Sequence, residues 1–152
     1  MADFDEKDKQ ILNLLLEKPG ITQKEIGEKI GIRGPSVNNR IQKMKKQKII
    51  TGYTPTINAE KLGYDVTVVV NVKIKGGKLT ITSEKYATDP HVCALYTISG
   101  EYDMVIVAKF HNRSELQEWN EKMTQDTEHI ERVNTSLCFS TPREATNPNK
   151  IE

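Results

Sequence analysis

The apolar residues of this chain change period once. Before residue 50 the spacing is helical: Ile11, Leu12, Leu15 and Leu16 recur between Asp5 and Glu17. From Val66 the period is two, with Val66, Val68, Val70, Val72 and Ile74 pointing one way and Thr67, Asn71 and Lys73 the other. One element cannot satisfy both periods. The chain therefore reads as a helical head followed by a sheet-bearing body, an α+β architecture.

The head resolves into three helices. Asp5 is placed to cap the first, with Asp8 in its first turn, and Pro19-Gly20 ends it. Thr22 opens a second, with Glu25 three residues on, and buries Ile26 and Ile30. Gly31 supplies a turn. Pro35 then occupies an early position of a third helix, whose buried stripe is Val37, Ile41 and Met44. The pattern predicts a helix-turn-helix, winged or plain, over 1–52, with Ser36, Asn38, Asn39, Arg40 and Lys43 facing away from the core.

Charge falls on the same segment. Seven cationic residues and no acidic one lie between Lys29 and Ala59: Lys29, Arg33, Arg40, Lys43, Lys45, Lys46 and Lys48. The formal net charge of the whole chain is only +1. Cations gathered on one element are the footprint of a polyanion partner, because each one set on a phosphate releases condensed counterions. The face fits a major groove: Ser36, Asn38, Asn39, Arg40 and Lys43 are expected to contact DNA, the two asparagines at base edges and the arginine and lysine at guanine or the backbone, with Arg33 and Lys45 as phosphate contacts.

Ile49–Ile57 reads as a short extended segment, and 53–65 as a linker strand between domains. Beyond it the order is strand, helix, strand, strand, helix, strand: Val66 to Ile74, a helix to about Thr88, His91 to Ser99, Asp103 to Phe110, Arg113 to Gln125, and Ile130 to Thr141. That is the ferredoxin-like βαββαβ unit, a sheet covered on one face by two helices, spanning 66–141. The other face carries Val69, Cys93 and Leu95 and calls for a partner; two copies packed sheet to sheet would cover it and set two recognition helices on one DNA face. Residues 142–152, with little to bury, read as a mobile tail.

Other chemistries find little support. The longest apolar runs fall far short of the roughly 20 residues of a membrane helix, and the acidic start is unlike a signal peptide, so a cytoplasmic protein is expected. Cys93 and Cys138 sit in apolar strand-like runs and read as small buried hydrophobes. His91, His111 and His129 stand singly without ligand spacing, so neither a metal nor a haem is expected.

Taken in order, the motifs resemble the Lrp/AsnC family of leucine-responsive and asparagine-responsive transcription regulators, also called feast/famine proteins. Phe4-Asp5-Glu6-Lys7-Asp8-Lys9-Gln10-Ile11-Leu12 is similar to the family's opening Leu-Asp-x-x-Asp-x-x-Ile-Leu. Ile26-Gly27-Glu28-Lys29-Ile30-Gly31-Ile32, Pro35 to Ile41, Ile49-Ile50-Thr51-Gly52-Tyr53 and Lys61-Leu62-Gly63 continue the match. Ser99-Gly100-Glu101-Tyr102-Asp103 resembles the Thr-Gly-x-Tyr-Asp turn of its ligand-sensing (RAM-type) domain, and Ile130 to Thr135 its last strand. Three positions depart from it: Arg33 replaces a serine cap, Asn39 the first of two arginines, and Lys48 a glycine after the recognition helix.

The resemblance implies a DNA-binding regulator rather than an enzyme. It further implies a pseudo-palindromic duplex operator, self-association to a dimer and up to an octamer, and an amino-acid effector. It places that effector at the 99–103 turn, with Gln125 and Thr135 brought from a neighbouring subunit. A free amino acid needs an acceptor for its ammonium, here Asp103 or Glu101, and donors for its carboxylate, here turn amides, Ser99 and Thr135; Gly100 and Tyr102 complete the turn. Glu101, Gln125 and Asn134 favour a polar effector such as glutamine or asparagine. Two alternatives share the pattern: an architectural DNA-binding protein without effector, and a sirohaem decarboxylase-like enzyme for which only His91 and His111 could serve.

Overall fold

The computed structural model describes residues 4–144 and 150–151. The chain divides into two compact units, Met1–Thr56 with Glu144–Glu152, and Ile57–Arg143.

In the first unit, α1 (Glu6–Glu17) starts at the Asp5 cap in a reciprocal box: Asp5 accepts from the Asp8 N–H at 3.0 Å and Asp8 accepts from the Asp5 N–H at 3.2 Å. Helix α2 (Gln23–Ile30) starts in a second box formed by Thr22 and Glu25. It ends at Gly31, whose φ of 71° is the left-handed cap that a residue without Cβ adopts most readily. Helix α3 (Gly34–Lys46) follows with Pro35 in its first turn, and Ile11, Ile26, Ile30, Val37, Ile41 and Met44 form the core between the three. The helix-turn-helix and its buried stripe stand as the spacing predicts.

The second unit is a four-stranded antiparallel sheet, β1 (Val66–Ile74), β2 (Val92–Thr97), β3 (Met104–Phe110) and β4 (Ile130–Leu137), ordered β2-β3-β1-β4. Helices α4 (Leu79–Ala87) and α5 (Arg113–Gln125) cover one face. Strand β1 alternates buried and half-buried residue by residue, because every second side chain meets the helices. Each valine so buried stabilises by roughly 1.5–3 kcal/mol over exposure. Trp119 of α5 packs edge-on against Phe110 and Tyr86 and donates its indole N–H to Asp89 at 3.0 Å. This is the expected ferredoxin-like order.

Four expectations shift. No strand forms over 53–65; 51–58 lacks regular structure and Glu60–Leu62 makes one 3-10 turn, since a lone extended segment has no ladder to join. A bulge between Val92 and Ala94 puts Leu95 opposite the buried Ile106, so Leu95 packs into the core rather than on the open face. Cys93 is exposed at that bulge and Cys138 is only partly buried, so neither is a core residue. The tail expected at 142–152 falls partly outside the described residues. Within it, the Ile151 backbone exchanges two hydrogen bonds with the Asn13 side chain of α1.

Candidate functional site

Helix α3 advances about 100° per residue, so with Val37, Ile41 and Met44 inward, Asn39 and Lys43 face outward with Ser36 beside them. Ser36, Asn39, Arg40 and Lys43 line one shallow surface depression together with Asp5. Arg33 is the N-cap, and its side chain makes no capping bond, as expected where an arginine stands in place of serine. Lys45 lies 5.0 Å over the Tyr53 ring.

Asn38 and Arg40 occupy the two flanks of the same helix. Asn38 Oδ1 accepts from Gln23 Nε2 at the start of α2, 3.1 Å away. Arg40 turns toward α1: its Nη1 donates to Asp5 Oδ2 at 2.8 Å and to Asp8 Oδ1 at 2.9 Å. Its bonds to Asp8 and Asp5 raise the guanidinium pKa, and the Arg40 bond holds Asp5 below the usual carboxylate range. Gln23 carries no charge that would single it out in the sequence; its place one residue after the Thr22 cap was the available signal.

The 99–103 turn joins β2 to β3, with Gly100 at φ 125°. Its two carboxylates are already engaged. Asp103 accepts from the Ile74 N–H at 2.8 Å and from Lys73 Nζ at 3.1 Å, and the Ile74 bond foremost lowers its pKa. Glu101 pairs with Arg132 of β4 at 2.7 Å, and the Arg132 guanidinium lies 5.1 Å over the Tyr102 ring. Lys73 and Arg132 are cross-strand partners. Neither cation is among the residues the sequence singles out, because only the β1–β4 register brings them to this turn.

Of the remaining candidates, Gln125 and Thr135 lie apart from the turn within one chain. Ser99 is exposed at the turn. Gln125 is exposed at the end of α5, and Thr135 pairs with Val70 on the helix-covered side, where its hydroxyl donates to Asn120 at 2.9 Å. Two histidines converge on Glu115: His111 Nδ1 at 3.2 Å and His91 Nε2 at 4.0 Å; His129 pairs with Asp126 at 2.7 Å. Among the described residues no His, Cys, Asp and Glu cluster is arranged to hold a metal ion, and no helix is long and apolar enough to cross a membrane.

A helix-turn-helix with an exposed cationic recognition face, followed by a ferredoxin-like body, defines a DNA-binding transcriptional regulator. Residues 4–51 match the model described as winged helix-turn-helix DNA-binding, and residues 67–148 the Lrp/AsnC ligand binding domain. The chain belongs to the Lrp/AsnC family. It is 32% identical to an HTH-type transcriptional regulator of Pyrococcus furiosus, over 93% of this chain and 95% of that one. Among solved structures it is similar to AsnC of E. coli, with a TM-score of 0.84, 24% identity and coverage of 94% of this chain and 97% of that one. It is equally similar, at TM-score 0.84 and 17% identity over 93% and 94%, to a transcriptional regulator of Neisseria meningitidis solved in complex with L-Met. The family is one of transcriptional regulators and not of enzymes, which sets aside the sirohaem decarboxylase alternative.

Proposed function

We propose that the chain is a sequence-specific cytoplasmic regulator whose grip on DNA is changed by a free amino acid bound at the 99–103 turn. Residues 1–52 form the DNA-binding domain, 53–65 the linker, and 66–141 the effector-binding and oligomerisation domain. Ser36, Asn39 and Lys43 meet the groove, with Arg33 and Lys45 at the phosphates. Self-association as a dimer, or up to an octamer, presents two heads to a pseudo-palindromic operator. The apolar face opposite the helices, with Val69, Val105 and Val107, supports that pairing.

The observation that carries the effector half is the Glu101–Arg132 pair, whose side chains are 68% and 54% exposed. An exposed ion pair contributes little, so opening it costs little. An amino acid offers the same two charges in exchange: its ammonium replaces Arg132 at Glu101, and its carboxylate replaces Glu101 at the Arg132 fork. Asp103, tied to the β1 backbone, stays to hold the turn. The L-Met complex of the Neisseria relative supports an amino acid as the ligand class. Glu101, Asn134 and Gln125 favour a polar one such as glutamine or asparagine. The ligand acts only through its different affinity for two states of assembly or DNA binding.

Calorimetry of the full chain against the twenty amino acids tests this. One polar amino acid should give saturable heat that Arg132→Gln removes while the melting temperature stays within a few degrees. No heat from any of them rejects the effector.

A further inference from the structure

Arg40 is the cation nearest the middle of the recognition helix, yet its bonds point into the protein. The Asp8 side chain it meets is 3% exposed, and the side chain of Arg40 itself is 32% exposed. Asp8 already spends its other oxygen on the Asp5 N–H, and Asp5 returns a bond to the Asp8 N–H. Arg40 therefore closes a box of two carboxylates at the start of α1 and neutralises the buried one.

Two consequences follow for any DNA contact through this residue. A guanidinium that left Asp8 for a phosphate would abandon a buried carboxylate without its counter-charge, a heavy penalty. The arriving phosphate would also stand beside both Asp5 and Asp8, and like charges at such distances repel. Ser36 and Asn39 beside it on α3 are exposed and carry no such burden from α1 in the bonds described. Arg40 thus belongs with the framework that aims them.

We propose that Arg40 is a positioning residue of the DNA site: bound between Asp5 and Asp8, it fixes the angle of α3 against α1, so that Ser36, Asn39 and Lys43 reach base edges in one register. This rests on docking through α3, the reading given above. It separates two roles that a basic recognition helix usually merges. Arg33, Lys45 and the other flanking cations supply the sequence-independent attraction, and Arg40 supplies specificity without touching the duplex.

The sign of one substitution sets the two roles apart. Asp8→Asn removes a negative charge from a DNA-binding head, which by electrostatics alone tightens every duplex. If Arg40 is a positioning residue, Asp8→Asn instead loosens the selected duplex. The probe is a duplex enriched from a random pool by the wild-type protein, compared with a random duplex of equal length across a salt series.

Arg40→Gln and Asp8→Asn should each lower the ratio of specific to random affinity about tenfold, within the range of one lost base contact. The double variant should be no worse than either, because both break one interaction. The salt slope on random duplex should stay at the wild-type value. Asp5→Asn, which leaves the Arg40–Asp8 bond in place, should fall between, and circular dichroism melts keep a folding defect separate from an aiming defect.

A slope lower by about one on Arg40→Gln, the signature of a lost phosphate contact, overturns the proposal. So does an Asp8→Asn variant that binds the selected duplex as tightly as wild type. If the wild-type protein enriches no sequence at all, sequence-specific docking fails instead, and the random-duplex slope still decides Arg40: unchanged supports positioning, lowered refutes it.

Discussion

The Gln23 amide donates to the Asn38 carbonyl oxygen at 3.1 Å, tying the first turn of α2 to the flank of α3. With that oxygen engaged, Asn38 keeps only its N–H donors for a base. Bidentate recognition of adenine needs both ends of the amide, a donor to N7 and an acceptor for the N6 amino group. Asn39 is exposed and makes no such bond among the described residues. Asn39→Ala should therefore cost about 1–3 kcal/mol of discrimination at one base pair, and Asn38→Ala clearly less. Competition binding with single-base variants of a selected duplex measures both; a larger loss from Asn38 reverses the assignment.

The turn between α2 and α3 is set by a close approach at Gly27. A Cβ built there would stand 2.4 Å from the Ile32 carbonyl oxygen and 3.3 Å from the Gly34 nitrogen, both backbone atoms that cannot swing aside. Helix propensity alone favours alanine by about 1 kcal/mol. The clash opposes it and should win, as overpacking costs about 1–3 kcal/mol. Gly27→Ala should lower stability in a urea titration, and an unchanged or raised midpoint would mean that the two helices can part without cost.

What the sequence makes legible here is what is local. The Val37, Ile41 and Met44 stripe, the Val66 to Ile74 alternation and the Thr22–Glu25 box each follow from spacings of two to four residues, and each stands in the structure. The basic face on α3 is visible for the same reason. The destinations of its side chains are not: Arg40 finds Asp5 and Asp8 35 and 32 residues away, and Arg132 finds Glu101 across 31. Only packing and strand register fix such pairs. A single bulge shows how little it takes. It turns Leu95 into the core and leaves Cys93 exposed, although neither residue changes in the alternation read from the chain.

The Thr22 cap also writes a pH dependence. The Thr22 N–H, donating at 2.7 Å, is the largest influence holding the Glu25 carboxyl down to about 2 from 4.5, with the Thr22 hydroxyl and Lys18 adding to it. A folded pKa below the unfolded one gives stability that is fully present above about 4.5 and drains away as the pH falls toward 2. Asp5 and Asp103, also lowered, act in the same direction. Melting temperature followed from pH 7 to pH 2 should fall through that window, and Glu25→Gln should flatten part of the fall. A variant whose profile overlays the wild type would remove the cap from the account.

Lys48 sits at φ 57°, the left-handed conformation, at the position just past α3 where the family resemblance expects glycine. A side chain there costs energy because its Cβ crowds the following carbonyl. The residue that bears the strain is exposed and cationic, next to Lys45 and Lys46. Strain held at such a place fits a residue kept for what it contacts. Lys48→Gly should therefore raise stability by about 0.5–1 kcal/mol and at the same time weaken duplex binding, with the salt slope smaller by about one. The two changes must run in opposite directions. If glycine stabilises the fold and leaves the slope untouched, the ammonium meets no phosphate; if it destabilises, the left-handed turn carries no strain to release.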